Sequence, residues 1–209
     1  MSRATGPGRW RALVAAVALV LLAGCSGPSD TYSPPTAPPT GEPSIDLPSA
    51  KAAAGIADCP VSGDQPVVAG GLPDLTLPCL GGGRPVRLAG LRGTPMVINI
   101  WAQWCGPCRG EAPHLAEVQK LAGNRIRMIG IDFADPQPGY AIEFAQLAGW
   151  RYPQLVDEDR RINASIPFAG PPQTLLVDAE GKIVYRQNGE LASTAQLTGL
   201  IRDHLGVRL

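Results

Sequence analysis

Two cysteines separated by two residues, Cys105 and Cys108, are the side chains in this sequence best suited to chemistry. They lie in the stretch WAQWCGPCRG, residues 101–110, directly after an apolar run. Such a pair can serve as a redox dithiol, as half of a tetrahedral metal site or as a structural disulfide. A metal cage needs two further ligands, and a disulfide around a two-residue loop gains little from loop entropy. The spacing therefore favours a redox dithiol, with the other two kinds of site as alternatives.

The elements around this pair predict which sulfur reacts first. The nearly continuous apolar run PMVINIWA, residues 95–102, is typical of a strand buried on both faces. After the cysteines, apolar residues recur with helical spacing up to Gly123, although we expect Pro113 to kink or divide this helix. Cys105 then stands at a helix N-terminus, where unpaired backbone amides and the helix dipole favour a thiolate. This predicts Cys105 as the nucleophile and Cys108 as the resolving thiol.

The other apolar patterns predict an α/β fold in which a central mixed β-sheet is flanked by helices. An N-terminal β-hairpin is expected where two apolar runs flank three glycines. The predicted elements after the dithiol helix are a strand at 125–133, a helix at 139–149, a hairpin at 174–186 and a final helix at 193–205, capped by Ser193 or Thr194.

The N-terminal segments predict export and a membrane anchor. Residues 1–25 have a basic start, a short apolar run and the pattern LAGC, which resembles a bacterial lipobox with Cys25 as the lipid-modified residue. A plain signal peptide cleaved nearby or an uncleaved anchor is the alternative. Residues 26–58 are rich in proline and predict a disordered tether, and residues 59–209 are assigned to the folded domain. The protein is therefore expected on the extracytoplasmic face of a bacterial membrane, held by a lipid.

Charge and the remaining cysteines narrow the functional classes. Lys and Arg together number 18, as do Asp and Glu, so the net charge is zero and binding to nucleic acid is not expected.

In an oxidising compartment, Cys59 and Cys79 are expected to form a structural disulfide that contributes about 3 kcal/mol on a chain-entropy estimate. The alternative is a second pair that is active in thiol exchange.

The motifs taken in order resemble the thioredoxin superfamily and, within it, the membrane-tethered TlpA/ResA-like group. The resemblance rests on INIWAQWCGPC, on GPPQTLLVDAEGKIV about sixty residues later and on the segment LPDLTLP before the central strand, and it covers residues 72–206. It implies a thioredoxin-like fold and a protein-disulfide oxidoreductase.

The resemblance also implies supporting site residues. Pro172 matches the family's cis-proline that faces the dithiol, and its neighbouring backbone would hold an extended substrate chain. Pro171 before it has no N–H to donate, so docking is expected to differ from that in relatives. Glu111 lies three residues after Cys108, where this group carries an acid that moves a proton to or from the inner thiol. An exposed helix position for Glu111 is the alternative, and Asp132 is a second candidate for the same task.

The sequence thus predicts a membrane-tethered thiol-disulfide oxidoreductase that needs no dissociable cofactor, because the dithiol is the redox group. Trp104 and Pro172 are the expected substrate-binding residues. The expected partners are exported proteins with cysteines and a membrane electron donor or acceptor. A reductase is favoured, with apocytochrome c as one substrate that the resemblance suggests, and a disulfide-forming oxidase is the alternative. A copper-binding module and a peroxiredoxin-type peroxidase are less favoured, because the spacing is CxxC and no Thr stands shortly before Cys105.

Overall fold

The computed structural model describes residues 45–209, and this part of the chain forms a five-stranded sheet, a separate two-stranded hairpin and four α-helices. The strands are β1 (Thr76–Leu77), β2 (Val86–Arg87), β3 (Met96–Trp101), β4 (Arg127–Phe133), β5 (Gln154–Asp157), β6 (Gln173–Val177) and β7 (Ile183–Asn188). The helices are α1 (Leu47–Ala54), α2 (Gly106–Ala122), α3 (Pro138–Leu147) and α4 (Thr194–Leu205). Strands β1 and β2 pair antiparallel and make the predicted hairpin.

The large sheet has the order β5-β4-β3-β6-β7, which places β3 at its centre. Strand β3 runs parallel to β4 and antiparallel to β6, so the sheet is mixed, as the sequence predicts. Every residue of β3 is buried, which agrees with its continuous apolar sequence. Because the CGPC segment follows β3 after a short turn, the centre of the sheet positions the dithiol.

Side chains of β3 alternate between the two faces of the sheet. Val97 and Trp101 join a core that contains side chains from all four helices. Met96, Ile98 and Ile100 belong to a second core, which they share with the hairpin and with Cys59 and Cys79. Helices therefore cover one face of the sheet, and the hairpin segment covers the other.

The structure differs from the sequence prediction at residues 47–54, which form α1 inside the range assigned to the tether. Pro48 stands in the first turn, where a helix tolerates proline because the N–H there has no partner in the helix. Gly55 ends α1 in the left-handed conformation. Lys51 and Ala54 are buried, so α1 packs against the rest of the domain. The folded part begins before the predicted boundary at residue 59.

Two further details correct the sequence analysis. Helix α2 continues through Pro113 without a break, so of the two expected outcomes, a kink or a division, the division is wrong. Strand β5 was not predicted, because two of its four residues, Gln154 and Asp157, are polar and yet buried.

The signal segment, the lipidation of Cys25 and the first part of the tether, up to residue 44, lie outside the described residues. Across residues 45–209, none of the helices has the length and apolar character needed to cross a membrane.

Candidate active site

The two cysteines of the CGPC segment are joined by a disulfide at the start of α2. Cys105 is the N-cap residue, and its Sγ accepts a hydrogen bond of 3.1 Å from the backbone N–H of Cys108. Both residues are buried, Cys108 completely. The first-turn amides of a helix, together with its dipole, stabilise negative charge on a cap residue. The arrangement is therefore suited to a thiolate at Cys105 once the disulfide is reduced.

Glu111 lies one turn after Cys108, and it is completely buried. Its carboxylate accepts hydrogen bonds from Asn99 Nδ2 at 2.7 Å and from the backbone N–H of Leu191 at 3.0 Å. Burial raises the pKa of Glu111 to about 7, although these two hydrogen bonds oppose the rise. The alternative of an exposed Glu111 is thus wrong, and this carboxyl can both hold and release a proton near neutral pH.

Asp132 occupies a different environment on β4, opposite Trp101 in the parallel register with β3. It is completely buried, and neither carboxyl oxygen has a hydrogen-bond partner among the described residues. Burial raises the pKa of Asp132 to about 9, and the nearby charge of Asp135 adds to the rise. Asp132 is therefore protonated at neutral pH, which makes it a poorer base there than Glu111.

Pro172 immediately precedes β6, and the peptide bond between Pro171 and Pro172 is cis. In the antiparallel register, Gln173 lies opposite Ile100, so Pro172 is at the end of β3 from which the CGPC turn starts. The carbonyl of Pro172 accepts a hydrogen bond from the N–H of Gly189 at 3.0 Å. At residue 171 the backbone has a carbonyl and no N–H, so it can only accept a hydrogen bond from a docked chain.

The two tryptophans that flank the CGPC turn occupy different environments. Trp104 is 51 % exposed, and its Nε1 donates to the carbonyl of Ala134 at 3.2 Å. Trp101 is completely buried and stacks on Phe144, with ring centroids 5.0 Å apart. Only Trp104 is therefore placed to contact a protein that docks beside the dithiol.

Trp101 is fixed by a buried hydrogen bond across the sheet. Its Nε1 donates to Gln154 Oε1 at 2.9 Å. The Gln154 amide occupies the space that a Cβ on Gly130 would need, so the close approach requires glycine at that position of β4. These three residues hold the end of β3 immediately before the turn that carries Cys105.

The structure joins Cys59 and Cys79 in a second disulfide, with their Cα atoms 5.9 Å apart. Both residues are buried. Cys79 forms an isolated bridge with Leu155, so the disulfide lies against the edge strand β5.

Sequence reasoning missed the residues that hold Glu111. Asn99 is a lone polar residue within the apolar run of β3, and that departure from the pattern was the signal that could have identified it. Leu191 contributes only a backbone N–H, and such a donor cannot be recognised from the residue type. Lys51, which reaches the second disulfide, lay within the segment assigned to the tether.

Comparisons with known proteins agree with this geometry. The profile of the AhpC/TSA family matches residues 68–186, which is more than half of the chain. A thiol:disulfide interchange protein DsbE of Yersinia pestis is 34 % identical over 99 residues, which are 47 % of this chain and 51 % of that protein. The chain thus spans about half the length of several curated relatives that it matches.

Solved structures match a larger share of their own chains. A thiol:disulfide interchange protein of the thioredoxin family from Chlorobium tepidum has a TM-score of 0.55 at 26 % identity, covering 69 % of this chain and all of that one. A secreted Mycobacterium tuberculosis disulfide oxidoreductase homologous to Escherichia coli DsbE also has a TM-score of 0.55 at 26 % identity, covering 62 % and 96 % of the two chains. The fold is thioredoxin-like.

Proposed function

Because this chain belongs to the thioredoxin-like AhpC/TSA family, we propose that it is a protein thiol-disulfide oxidoreductase whose redox group is the Cys105–Cys108 pair. One observation carries the proposal: the Cys105 sulfur caps helix α2 and accepts an amide hydrogen bond, while its partner Cys108 is completely buried behind it. A reactive outer sulfur and a protected inner sulfur are the two parts that disulfide exchange requires.

In the reducing direction, the Cys105 thiolate attacks a disulfide of the substrate protein. A bond forms between Cys105 and one substrate sulfur, and the other substrate sulfur leaves as a thiolate with the electron pair. Cys108 then loses its proton and attacks Cys105, so that the bond between Cys105 and the attached substrate sulfur breaks, this sulfur leaves as a thiolate, and the Cys105–Cys108 disulfide forms. The substrate gains two electrons, and the CGPC pair loses two.

Glu111 is the proton acceptor for Cys108 in this proposal. The two residues lie three positions apart on one helix, and so they share a face of α2. The inner thiol is buried away from water, and Glu111, with a pKa of about 7, is a base of matched strength. Its two hydrogen bonds fix the carboxylate in place.

The substrates in this proposal are exported proteins with cysteines, and a membrane protein resets the pair. Trp104 offers an exposed aromatic surface beside the dithiol, and the backbone at Pro172 lies at the same end of β3.

We place the protein on the extracytoplasmic face of the membrane, held by a lipid on Cys25. Metabolic labelling with a radioactive fatty acid tests the anchor, and label that persists in Cys25→Ser contradicts it.

We favour the reducing direction over the oxidising one. The Gly-Pro dipeptide between the cysteines matches reducing thioredoxins, whose potential is about −270 mV, whereas strong oxidants reach about −120 mV. Equilibration of the CGPC pair with glutathione buffers measures its midpoint potential. A midpoint above about −200 mV supports the disulfide-forming oxidase instead.

The roles of the two cysteines are tested by trapping. Cys108→Ser should accumulate a mixed disulfide between Cys105 and a substrate protein, because no resolving thiol remains. Cys105→Ser is the matched control and should trap nothing. Trapping by Cys105→Ser and not by Cys108→Ser reverses the roles of the two cysteines.

A separate assay tests the peroxidase alternative. Consumption of hydrogen peroxide at a rate comparable with disulfide exchange supports a peroxidase.

A further inference from the structure

A buried lysine contacts the second disulfide, which the proposed function does not use. Lys51 on α1 has a side chain that is 6 % exposed, and its Nζ lies 3.3 Å from Cys79 Sγ. The same ammonium donates to Asp58 Oδ1 at 3.0 Å and to the carbonyl of Gly82 at 3.1 Å. An ammonium has three N–H donors, and here the third is directed at a disulfide sulfur, which is a weak acceptor. A thiolate at Cys79 would be a much stronger partner for this buried charge.

The other sulfur of the disulfide also has a partner that suits its reduced form. Cys59 Sγ lies 3.4 Å from the backbone carbonyl of Gln154. In the disulfide this sulfur has no hydrogen to donate, but a reduced Cys59 thiol has one. Without rearrangement, the site therefore offers a cation to Cys79 and a hydrogen-bond acceptor to Cys59.

A cavity lies beside the lysine that contacts the disulfide. A cavity of about 500 Å³ is lined by Lys51, Asp58 and the three glycines 81–83. A Cβ built on Gly83 would lie 3.7 Å from both Cys79 Sγ and Lys51 Nζ, so glycine at this position adds no side chain to that of Lys51 on this side of the sulfur. Cys59 lies in a segment without helix or strand, in which Val61 is 70 % exposed.

We propose that Cys59–Cys79 is a second exchange-active disulfide, reduced by a dithiol, in which Lys51 holds Cys79 as the leaving thiolate. The proposal is independent of the function assigned to the CGPC pair. It selects, for Cys59 and Cys79, the alternative that the sequence left open beside a purely structural role.

Reduction of the Cys59–Cys79 disulfide takes two exchange steps. A thiolate of the donor dithiol attacks Cys59 Sγ, a new sulfur–sulfur bond forms, and the electron pair of the broken bond leaves on Cys79 beside Lys51. The donor's second thiol loses its proton and attacks the donor sulfur in the mixed disulfide. Cys59 leaves and takes up one proton through solvent, and it then donates to the Gln154 carbonyl. The donor loses two electrons and becomes a disulfide, and the Cys59–Cys79 pair gains them.

The test measures the reduction equilibrium of this pair alone. The full chain with Cys105→Ser and Cys108→Ser is equilibrated at pH 7 with mixtures of reduced and oxidised dithiothreitol, and thiols at Cys59 and Cys79 are alkylated and quantified by peptide mass spectrometry. We expect half-reduction at a potential less negative than about −300 mV, because structural disulfides have potentials below this value and resist reduction by cellular thiols. A pair that is still oxidised at that potential overturns the proposal.

Variants at position 51 test the role of the lysine. Lys51→Met keeps the length of the side chain and removes the charge, and it should lower the equilibrium constant for reduction at least tenfold, which is about 30 mV for a two-electron couple. Lys51→Arg should restore most of the loss. Lys120→Met, an exposed lysine on α2, is the matched control and should have no effect. An equal effect of the Met variants at positions 51 and 120 refutes the assignment.

A variant at Asp58 tests the same idea without altering the core. The Asp58 side chain is 95 % exposed, so Asp58→Asn is expected to fold. It removes the negative charge that now pairs with Lys51, and the ammonium should then stabilise the Cys79 thiolate more strongly. We expect reduction to become about two- to threefold more favourable, opposite in sign to Lys51→Met. A shift in the same direction as Lys51→Met contradicts the electrostatic mechanism.

Discussion

Replacement of Glu111 by Gln should remove a proton acceptor from the active site while leaving a side chain of the same shape that can still form hydrogen bonds with Leu191 and Asn99. The Gln oxygen can accept from the N–H of Leu191, as the carboxylate does now. Its amide N–H can be satisfied if the Asn99 side chain turns over, because Asn99 Oδ1 has no partner within residues 45–209. The substitution therefore tests protonation at this position rather than packing.

The expected magnitude follows from the pKa of about 7. The carboxylate is about 10 % ionised at pH 6 and about 90 % ionised at pH 8, a roughly ninefold difference in the amount of base. Loss of a positioned base costs about 100-fold or more in rate. We expect Glu111→Gln to slow resolution of the mixed disulfide by about 100-fold at pH 8 and by about tenfold at pH 6.

A stopped-flow assay measures this step. Reduced protein is mixed with the symmetric disulfide of thionitrobenzoate, so that Cys105 forms a mixed disulfide, and release of the second thionitrobenzoate upon attack by Cys108 is followed by absorbance from pH 5 to 9. The wild type should show an inflection near pH 7 that Glu111→Gln lacks. Glu117→Gln, a change at a more exposed position on the same helix, is the control. Equal rates for wild type and Glu111→Gln, or the same inflection in both, would refute the role of Glu111.

Three further outcomes are expected. Because folding raises the pKa of Glu111 from 4.5 to about 7, the folded state binds its proton more tightly, so the wild type's free energy of unfolding should fall by about 3 kcal/mol relative to Glu111→Gln as pH rises from 4 to 8, measured by urea titration. Trp104→Ala should raise KM for a protein disulfide about fivefold and leave the rate of reaction with dithiothreitol unchanged. An equal loss of rate with both substrates would contradict a docking role. Gly130→Ala should displace Gln154, leave the buried Trp101 N–H unpaired and cost about 1–3 kcal/mol in urea unfolding, whereas Gly199→Ala in α4 should be neutral or stabilising.

The sequence predicted those elements whose periodicity is strong. Strand β3 was identified because its apolar run is continuous, and α2 because Leu115 and Val118 recur with helical spacing before Gly123. Strand β5 was missed because burial of Gln154 and Asp157 depends on hydrogen bonds made to other segments. Such partners are fixed only when the chain is folded.

The same distinction holds for the candidate site. Cys105 and Cys108 are predicted from their CxxC spacing, whereas Glu111 is a candidate because the family resemblance places an acid three residues after Cys108, on the same helix face. The pKa of Glu111 could not be predicted, since it depends on burial beneath elements that are distant in the chain, and the N–H of Leu191 is 80 residues away. Helix α1 and its Lys51 could not be predicted either, because the density of prolines before Asp58 favoured a disordered tether over a helix with Pro48 in its first turn.

The close packing of Gly130, Gln154 and Trp101 has a consequence for how related sequences can vary. A side chain larger than hydrogen at position 130 leaves no room for the Gln154 amide, and loss of that amide removes the partner of the tryptophan N–H. Substitutions at positions 130 and 154 should therefore occur together across relatives, with Gly130 changing only where Gln154 has been replaced by a smaller residue. An aromatic residue without a polar nitrogen should then become acceptable at position 101.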